Sequence, residues 1–517
     1  MNLSFLKAYE DYTDSANWQP RLSELTAIVS GITAGSIGQL DDQALLDTME
    51  DVEELMRYYC VIQDMAKLEA AMRKFYDMLQ LCKSRQIRNM EALYLEMVFL
   101  RMDAMLYRSN GQNRQSAQSY DRCLTVARQC FDAMLCTHLT KDQQLYVGWN
   151  CVECWREAAE VHDLALDTKG SVQLLREVIP MLQKLEPHLP YAPGICDQAA
   201  ELYTNAGSIL YQYGDPATGS TCYQNAYHLL SMLDIVHGSD FYMARAIWVR
   251  CVHGTMALMI ENDAKMMLRS ETEAQEYLRQ RPEASLRDRT IVEAVNAMVL
   301  IQRSMAFQQN GKMAEAIRMT KTGVEKLGHC LDVLQKNYEG RYDHYRTVLE
   351  KITGRIYGSY VGAMESLGVM YFQNEDGAAA KEMLQEVLTE LSETGGIRIQ
   401  GSSSAMIHAE TLQYLGFIAL DEGNGYQADF YGTQAADMAL SLGEETGNPL
   451  AWGVAVISCS LVAEMALGMK NKPKAKTYAE KGLTACDTLA RLNPNSPQLQ
   501  MRGNLEKFYK KASRRFF

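Results

Sequence analysis

The stretch Tyr203–Ala226, YTNAGSILYQYGDPATGSTCYQNA, holds the clearest copy of the pattern that decides the fold. Gly207 is a small residue at a position where two helices would touch, and Gly214 lies in the turn that follows. Tyr223 and Ala226 then close the second helix. Two helices joined by a short turn, with small and aromatic residues where they meet, predict an antiparallel helical hairpin. Such a hairpin buries its apolar face only by stacking on neighbours, and stacked hairpins mostly serve as binding surfaces.

The same order of features recurs along the chain, which therefore has at least seven hairpins. Apolar residues recur at three- and four-residue spacing, as in amphipathic helices, and strand-like alternation is almost absent. Successive turns near positions 66 and 111, and near 375, 423 and 470, lie farther apart than the ~34 residues of a short helical repeat. We therefore expect long helices in an all-α array. The other six hairpins begin at Leu55, Leu100, Leu300, Met364, Leu412 and Cys459.

Two of these hairpins carry the residues of a known repeat. Leu367 and Gly368 precede Tyr371, and Leu415 and Gly416 occupy the same place in the next hairpin. In this pattern the chain resembles the tetratricopeptide-repeat (TPR) family over roughly residues 50–490. The resemblance implies a right-handed superhelical solenoid of antiparallel helical hairpins, here with long repeats. It also implies that the first helix of each hairpin lines a concave, ligand-binding surface.

We predict four segments along the chain. These are an acidic N-terminal helical cap at 1–45, an N-terminal TPR-like lobe at 46–262, a charged connector at 263–290, and a C-terminal lobe at 291–517 with a basic C-terminal helix. Residues 1–56 hold eleven acids against two bases, and the C-terminus has the opposite balance. This asymmetry indicates head-to-tail self-association, as in a possible homodimer, or a basic docking tail, or simply two solvated ends of opposite sign.

Composition narrows the possible partners and location. The net charge of −13 disfavours nucleic acid as the main partner, because an acidic protein repels phosphate backbones. Thirteen cysteines are scattered singly, as expected for free thiols in a reducing compartment, and the N-terminus does not look like a secretory signal. We therefore expect a cytoplasmic protein. The apolar stretch 451–469 is long enough to span a membrane, but its register with a repeat favours a buried helix and no membrane contact.

The sequence contains no phosphate-binding glycine loop, nucleophile elbow or His-Glu-x-x-His motif, so we predict no catalytic residues, no cofactor and no enzyme activity. A row of tyrosines at 338, 342 and 345 indicates a packing seam between helices in preference to an aromatic cage for a ligand. The long loop 394–402 is either a contact for a partner or a plain connector. One cysteine-rich cluster has ligand-like spacing for zinc, and a zinc-dependent enzyme is a less favoured hypothesis. A buried stripe of cysteines on one helical face gives the same spacing, so the sequence leaves open whether the cluster binds metal. The cluster consists of Cys130, Cys136, His138, Cys151 and Cys154.

The function we favour is a non-catalytic scaffold or adaptor that holds a protein or peptide on the first helices of its hairpins. Glutamine amides there suit the backbone of an extended peptide, and methionine or aromatic groups suit its side chains. The alternative is a peptide- or ligand-sensing bacterial regulator of the TPR type. The candidate binding residues, carried over from the resemblance, are Arg101, Met105, Arg108, Thr204, Ser208, Tyr211, Gln212, Met305, Gln308, Gln309, Phe372, Gln373, Gln413 and Phe417, with Glu365 beside them.

Overall fold

The computed structural model describes residues 15–62, 64–213, 215–261, 263–338, 344–393 and 402–513. Apart from short turns and loops, the chain is helical in these ranges, and no β-strand occurs in them, which confirms the predicted all-α class. Several predicted features lie outside the described residues. These are the first part of the acidic N-terminal cap, Gly214 of the turn after Gly207, the loop at 394–401, Tyr342 of the tyrosine row, and Arg514 and Arg515 of the basic C-terminus.

Twenty-one α-helices and two short 3-10 segments make up the described residues. The 3-10 segments are Glu186–Tyr191 and Pro497–Met501. The helices are α1 Ser15–Gly31, α2 Ala34–Ile37, α3 Asp42–Val61, α4 Met65–Ser84, α5 Met90–Ser109, α6 Asn113–Cys136, α7 Lys141–Leu164, α8 Thr168–Leu185, α9 Pro193–Gln212, α10 Pro216–His237, α11 Asp240–Glu261, α12 Lys265–Gln280, α13 Leu286–Gln309, α14 Met313–Tyr338, α15 His344–Gln373, α16 Gly377–Glu393, α17 Ser402–Asp421, α18 Gly425–Thr446, α19 Pro449–Gly468, α20 Lys472–Leu492 and α21 Arg502–Ser513.

The chain divides into two compact units. Unit 1 comprises Met1–Ala165, Gly170–Val249 and Lys336–Lys351, and unit 2 comprises Leu166–Lys169, Arg250–Gln335 and Ile352–Phe517. The predicted connector at 263–290 contains the whole of α12, which packs against α13 within unit 2.

Within each unit, neighbouring helices pack as antiparallel hairpins. In unit 1, α3 pairs with α4, α5 with α6, and α9 with α10; in unit 2, α17 pairs with α18, and α19 with α20. We call the first helix of each hairpin its A helix. The A helices of successive hairpins also touch, as α3 does α5, α5 does α7, and α17 does α19. The side chains of A helices that touch in this way therefore share a surface.

The glycines of the repeat pattern stand where helices cross closely. A Cβ atom at Gly207 would lie 3.0 Å from the Tyr223 ring, and one at Gly368 would lie 2.7 Å from Cγ of Leu384. These distances are shorter than ordinary van der Waals contacts, so a larger residue would force the helices apart. The predicted role of the small residue at the crossing is confirmed at both positions.

The apolar stretch near 451–469 forms α19, Pro449–Gly468. Within the described part of the chain it is the one helix long and apolar enough to cross a membrane, and 72% of its most apolar window is buried inside the protein. It packs against α18 and α20, and Trp452 and Val456 belong to a buried cluster with Leu489. Its many small residues allow this close packing, in agreement with the expected buried repeat helix.

Candidate functional site

The A helices of unit 1 carry a network of charged side chains. Arg101 on α5 reaches α7, where its guanidinium donates hydrogen bonds to both carboxylate oxygens of Glu157 at 2.6 and 2.7 Å. It also donates to Glu153 at 3.2 Å and to Asn150 at 3.3 Å. The Tyr120 hydroxyl donates to Glu157 at 2.9 Å. Arg101 is therefore engaged inside the protein and does not serve as a free basic anchor for a ligand.

The network extends along α7 and balances its own charge. Arg156 donates to Glu153 at 2.7 Å and to Glu160 at 2.6 Å. Burial by itself would raise the pKa of Glu157, but the charges and hydrogen bonds of Arg101 and Arg156 outweigh it and lower that pKa to about 2. Burial, together with the charge of Arg156, lowers the pKa of Lys351. Such compensated ion pairs fix helices relative to one another and leave little free charge for a partner.

The other predicted positions of unit 1 differ in their exposure. Arg108 is 38% exposed in its side chain and contacts Glu160 at 3.2 Å, while Met105 is half-buried. Gln212 is exposed, and the Ser208 hydroxyl lies 2.8 Å from that of Tyr223. Thr204 and Tyr211, by contrast, are 0% and 2% exposed.

The burial of Thr204 and Tyr211 corrects their expected role as ligand contacts. The Thr204 hydroxyl donates to the Ala200 carbonyl at 2.7 Å, and the Tyr211 ring packs on Tyr223 at a centroid distance of 6.3 Å. Both side chains therefore pack inside the hairpin.

In unit 2, two predicted glutamines meet. The side-chain amide of Gln308 on α13 donates to that of Gln373 on α15 at 2.8 Å, and the pair is exposed to solvent. Met305, one turn before Gln308, is 39% exposed, and Gln309 is also exposed. These four side chains place amide donors and acceptors and a flexible thioether on adjoining A helices.

Next to the amides, three aromatic rings join α15 to α17. The ring of Phe372 lies 5.8 Å from that of Tyr414 and 6.3 Å from that of Phe417, and Tyr414 and Phe417 are 6.2 Å apart. All three side chains are half-buried. Sequence reasoning predicted Phe372 and Phe417 but missed Tyr414. Its position three residues before Phe417 places it on the same helical face, and this spacing was the available signal.

Two carboxyl groups adjoin the aromatic rings. Burial raises the pKa of Glu365 on α15 to about 8, with a further contribution from the charge of Glu410. Burial also raises the pKa of Glu410 on α17 to about 7. The hydroxyl of Tyr414 has its pKa raised to about 12 by burial and by both carboxylates. Burial therefore favours the protonated form of both carboxyl groups, and the charge of Glu410 adds to this effect at Glu365.

We call this set the unit 2 A face: Met305, Gln308, Gln309, Glu365, Phe372, Gln373, Glu410, Tyr414 and Phe417. The predicted Gln413 does not belong to it, because its side chain is 4% exposed and accepts a hydrogen bond from Ser458 of α19 at 3.2 Å. Gln413 thus ties α17 to α19 and is not offered to a ligand, which corrects its predicted role.

The cysteine-rich cluster separates into buried and exposed groups. The Cys123 and Cys154 sulfurs are 3.6 Å apart in the core, whereas Cys136 and His138 are exposed. Burial raises the pKa of Cys151 well above its ordinary value, with a hydrogen bond to Cys130 contributing, so this thiol stays protonated. Among the residues that the structure describes, no three His, Cys, Asp or Glu side chains are arranged to hold a metal ion.

No protein-family model and no curated protein matches the sequence. Among solved structures, the apo form of RapI aligns over 86% of this chain and 98% of its own, with 10% identity and a TM-score of 0.40. The human IFIT1 dimer with m7Gppp-AAAA aligns over 92% and 95%, with 11% identity and a TM-score of 0.33. Yeast Tom70 aligns over 81% and 95%, with 9% identity and a TM-score of 0.24. These superpositions are too loose to indicate a shared ligand. By its own hairpins and their glycine crossings, the chain is a TPR-like helical-repeat protein.

Proposed function

We propose that this protein is a non-catalytic scaffold or adaptor that binds a protein or peptide segment on the unit 2 A face. The observation that carries the proposal is the aromatic trio Phe372, Tyr414 and Phe417, flanked by the amide pair of Gln308 and Gln373. A cytoplasmic location is part of the proposal, and it is supported by the free thiol state of all thirteen cysteines.

The chemistry of this face suits an extended peptide. Side-chain amides pair with the N–H and C=O groups of a peptide backbone, which are otherwise satisfied only by water. Half-buried aromatic rings offer apolar area at a small cost in side-chain entropy, because each ring has only two rotatable bonds. When ionised, the carboxyl groups of Glu365 and Glu410 favour a basic side chain of the peptide. When protonated, they donate hydrogen bonds and favour an acceptor.

The two units therefore have different roles in the proposal. On the face that includes Arg101, the A helices α5 and α7 of unit 1 are occupied by their own ion pairs, such as Arg101 with Glu157. The unit 2 A face instead presents exposed or half-buried groups to solvent, including Met305 and Phe372.

The test is a selection of peptides from a random display library on the full-length protein, followed by affinity measurement with the variants. We expect the double change Phe372→Ala and Phe417→Ala to weaken the selected peptides at least tenfold, since aromatic residues dominate most binding surfaces. Tyr426→Ala is the matched control, because this ring is 80% exposed on α18, the second helix of its hairpin. Equal affinities for both variants would place binding elsewhere and refute the proposal.

A further inference from the structure

A cleft of about 640 Å³ lies in unit 1, between α4 and the next A helix, α5. Its walls include Tyr76 and Asp77 from α4, and Phe99, Asp103 and Tyr107 from α5. On α5 these residues are spaced four apart, so they share one helical face. Arg101, Met105 and Arg108 lie on another face of the same helix. The cleft is therefore separate from the ion-pair network and, being in unit 1, from the unit 2 A face.

The aromatic walls of the cleft are open to solvent. The side chains of Tyr76 and Tyr107 are 48% and 36% exposed, which is high for rings of this size. The Tyr76 ring lies 5.7 Å from that of Phe99, and Phe99 in turn stacks on the fully buried Phe75 at 5.8 Å. The stacking on the core holds Phe99 in place. The cleft thus has an aromatic wall that is anchored on the core and partly exposed to solvent.

The charge around these rings is negative. Glu69, Asp77 and Asp103 line the cleft together with one basic residue, Arg73. Arg73 contacts Glu69 at 3.7 Å, and both side chains are largely exposed. Asp103 accepts a hydrogen bond from the Ser119 hydroxyl at 3.3 Å, which orients its carboxylate. An anionic ligand would be repelled here, and a neutral apolar ligand would desolvate carboxylates without compensation.

We propose that this cleft binds arginine or lysine side chains of a basic, extended protein segment. A cation over the faces of Tyr76 and Tyr107 is attracted by the ring quadrupoles, and a carboxylate within the same cleft completes the recognition. The apolar stem of such a side chain would pack on Phe99 and the neighbouring Leu106. The volume accommodates one or two such side chains with a short stretch of backbone. The assignment gives unit 1 a binding role that does not depend on the unit 2 A face.

The test uses a capped hexapeptide that alternates arginine with leucine, labelled with a fluorophore, and its citrulline counterpart. Citrulline has nearly the shape of arginine without its charge. Fluorescence anisotropy with the full-length protein should show at least tenfold tighter binding of the arginine peptide. The double change Tyr76→Ala and Asp103→Asn should remove that difference, whereas Tyr76→Phe, which keeps the ring, should retain it. Circular dichroism of each variant should be unchanged, because Tyr76 is an exposed residue.

Control variants separate this cleft from other acidic surfaces. Glu480→Gln removes one exposed negative charge from α20 in unit 2 and should leave the arginine peptide bound as before. The change Phe372→Ala with Phe417→Ala should also have no effect, and a loss there would assign the peptide to the unit 2 A face and overturn the cleft assignment. Equal binding of the arginine and citrulline peptides, or unchanged affinity in the Tyr76→Ala and Asp103→Asn protein, would likewise overturn it.

Discussion

At the scale of single residues, the turns of the hairpins share one backbone feature. Gly111, Gly311 and Gly423 have φ angles between 71° and 74°, and Glu375 and Lys470 occupy the equivalent turns with φ of 60°. These are turn positions of the repeat pattern. Left-handed backbone lets the chain reverse after the A helix with a short connection, and glycine adopts it without a steric penalty.

Lys470→Gly should therefore stabilise the protein. A Cβ atom in left-handed backbone costs about 1–2 kcal/mol of folding free energy, and glycine avoids this cost. Glycine also has more conformational freedom in the unfolded chain, and this freedom offsets part of the gain in stability. We expect a net increase of about 0.5–1 kcal/mol in the free energy of unfolding, measured by urea denaturation. Lys476→Gly, at an exposed position in the second turn of α20, is the control and should instead lose about 1 kcal/mol. A loss of stability in both variants would contradict the role assigned to the turn.

At the scale of the helices, the fold depends on how closely each A helix approaches its partner. Gly368 lies on α15, and a Cβ atom there would be 2.7 Å from Leu384 on α16. Gly362 lies on the same helix, and a Cβ atom there would meet nothing within 4 Å. The two glycines have the same helical backbone and differ in their neighbours.

Gly368→Ala and Gly362→Ala should consequently have opposite effects. At Gly368 the added methyl group overpacks the crossing, and we expect a loss of about 1–3 kcal/mol. At Gly362 the same change removes the helical penalty of glycine, and we expect a gain of about 0.5–1 kcal/mol. Thermal unfolding followed by circular dichroism compares the two proteins, and equal melting temperatures would show that the crossing is not tight.

At the scale of the helices, the sequence predicted the hairpins but not all of their buried faces. The hairpins and the buried helix α19 follow from apolar spacing and turn residues, because these patterns are local. The burial of Thr204 and Tyr211 was not predicted. The crossing with neighbouring helices decides which flank of an A helix packs inside its own hairpin and which flank faces solvent. The TPR pattern describes shorter repeats, so it does not define these flanks for the longer helices of this chain.

At the scale of the whole molecule, carboxyl groups on the A helices have two kinds of environment. Glu153 and Glu157 are paired with arginines, whereas burial raises the pKa values of Glu365 and Glu410 in unit 2. A carboxyl group whose pKa rises on folding binds its proton more tightly in the folded state. Its contribution to stability is present below the unfolded pKa and is lost as pH rises through the folded value.

Glu365→Gln should thus stabilise the protein at pH 8 but not at pH 4. The amide resembles the protonated carboxyl and removes the cost of ionising a half-buried group near Glu410. We expect a gain on the order of 1 kcal/mol at pH 8, measured by urea denaturation at both pH values. Glu382→Gln, on an exposed position of α16, is the control and should change stability little at either pH. The same gain at pH 4 and pH 8 would show that ionisation of Glu365 is not involved.

The sequence by itself determined that this protein is all-α, that it is built of helical hairpins, and where tight crossings such as those at Gly207 and Gly368 lie. These features arise from residues close together in the chain, such as Gly207 with Tyr223 and Gly368 with Leu384. Only the tertiary structure decided that Arg101 is bound by Glu157, that Tyr414 joins Phe372 and Phe417, and that an acidic aromatic cleft opens beside Tyr76. These contacts join different hairpins, and their partners depend on helix crossing and register, which hydrophobic spacing does not specify.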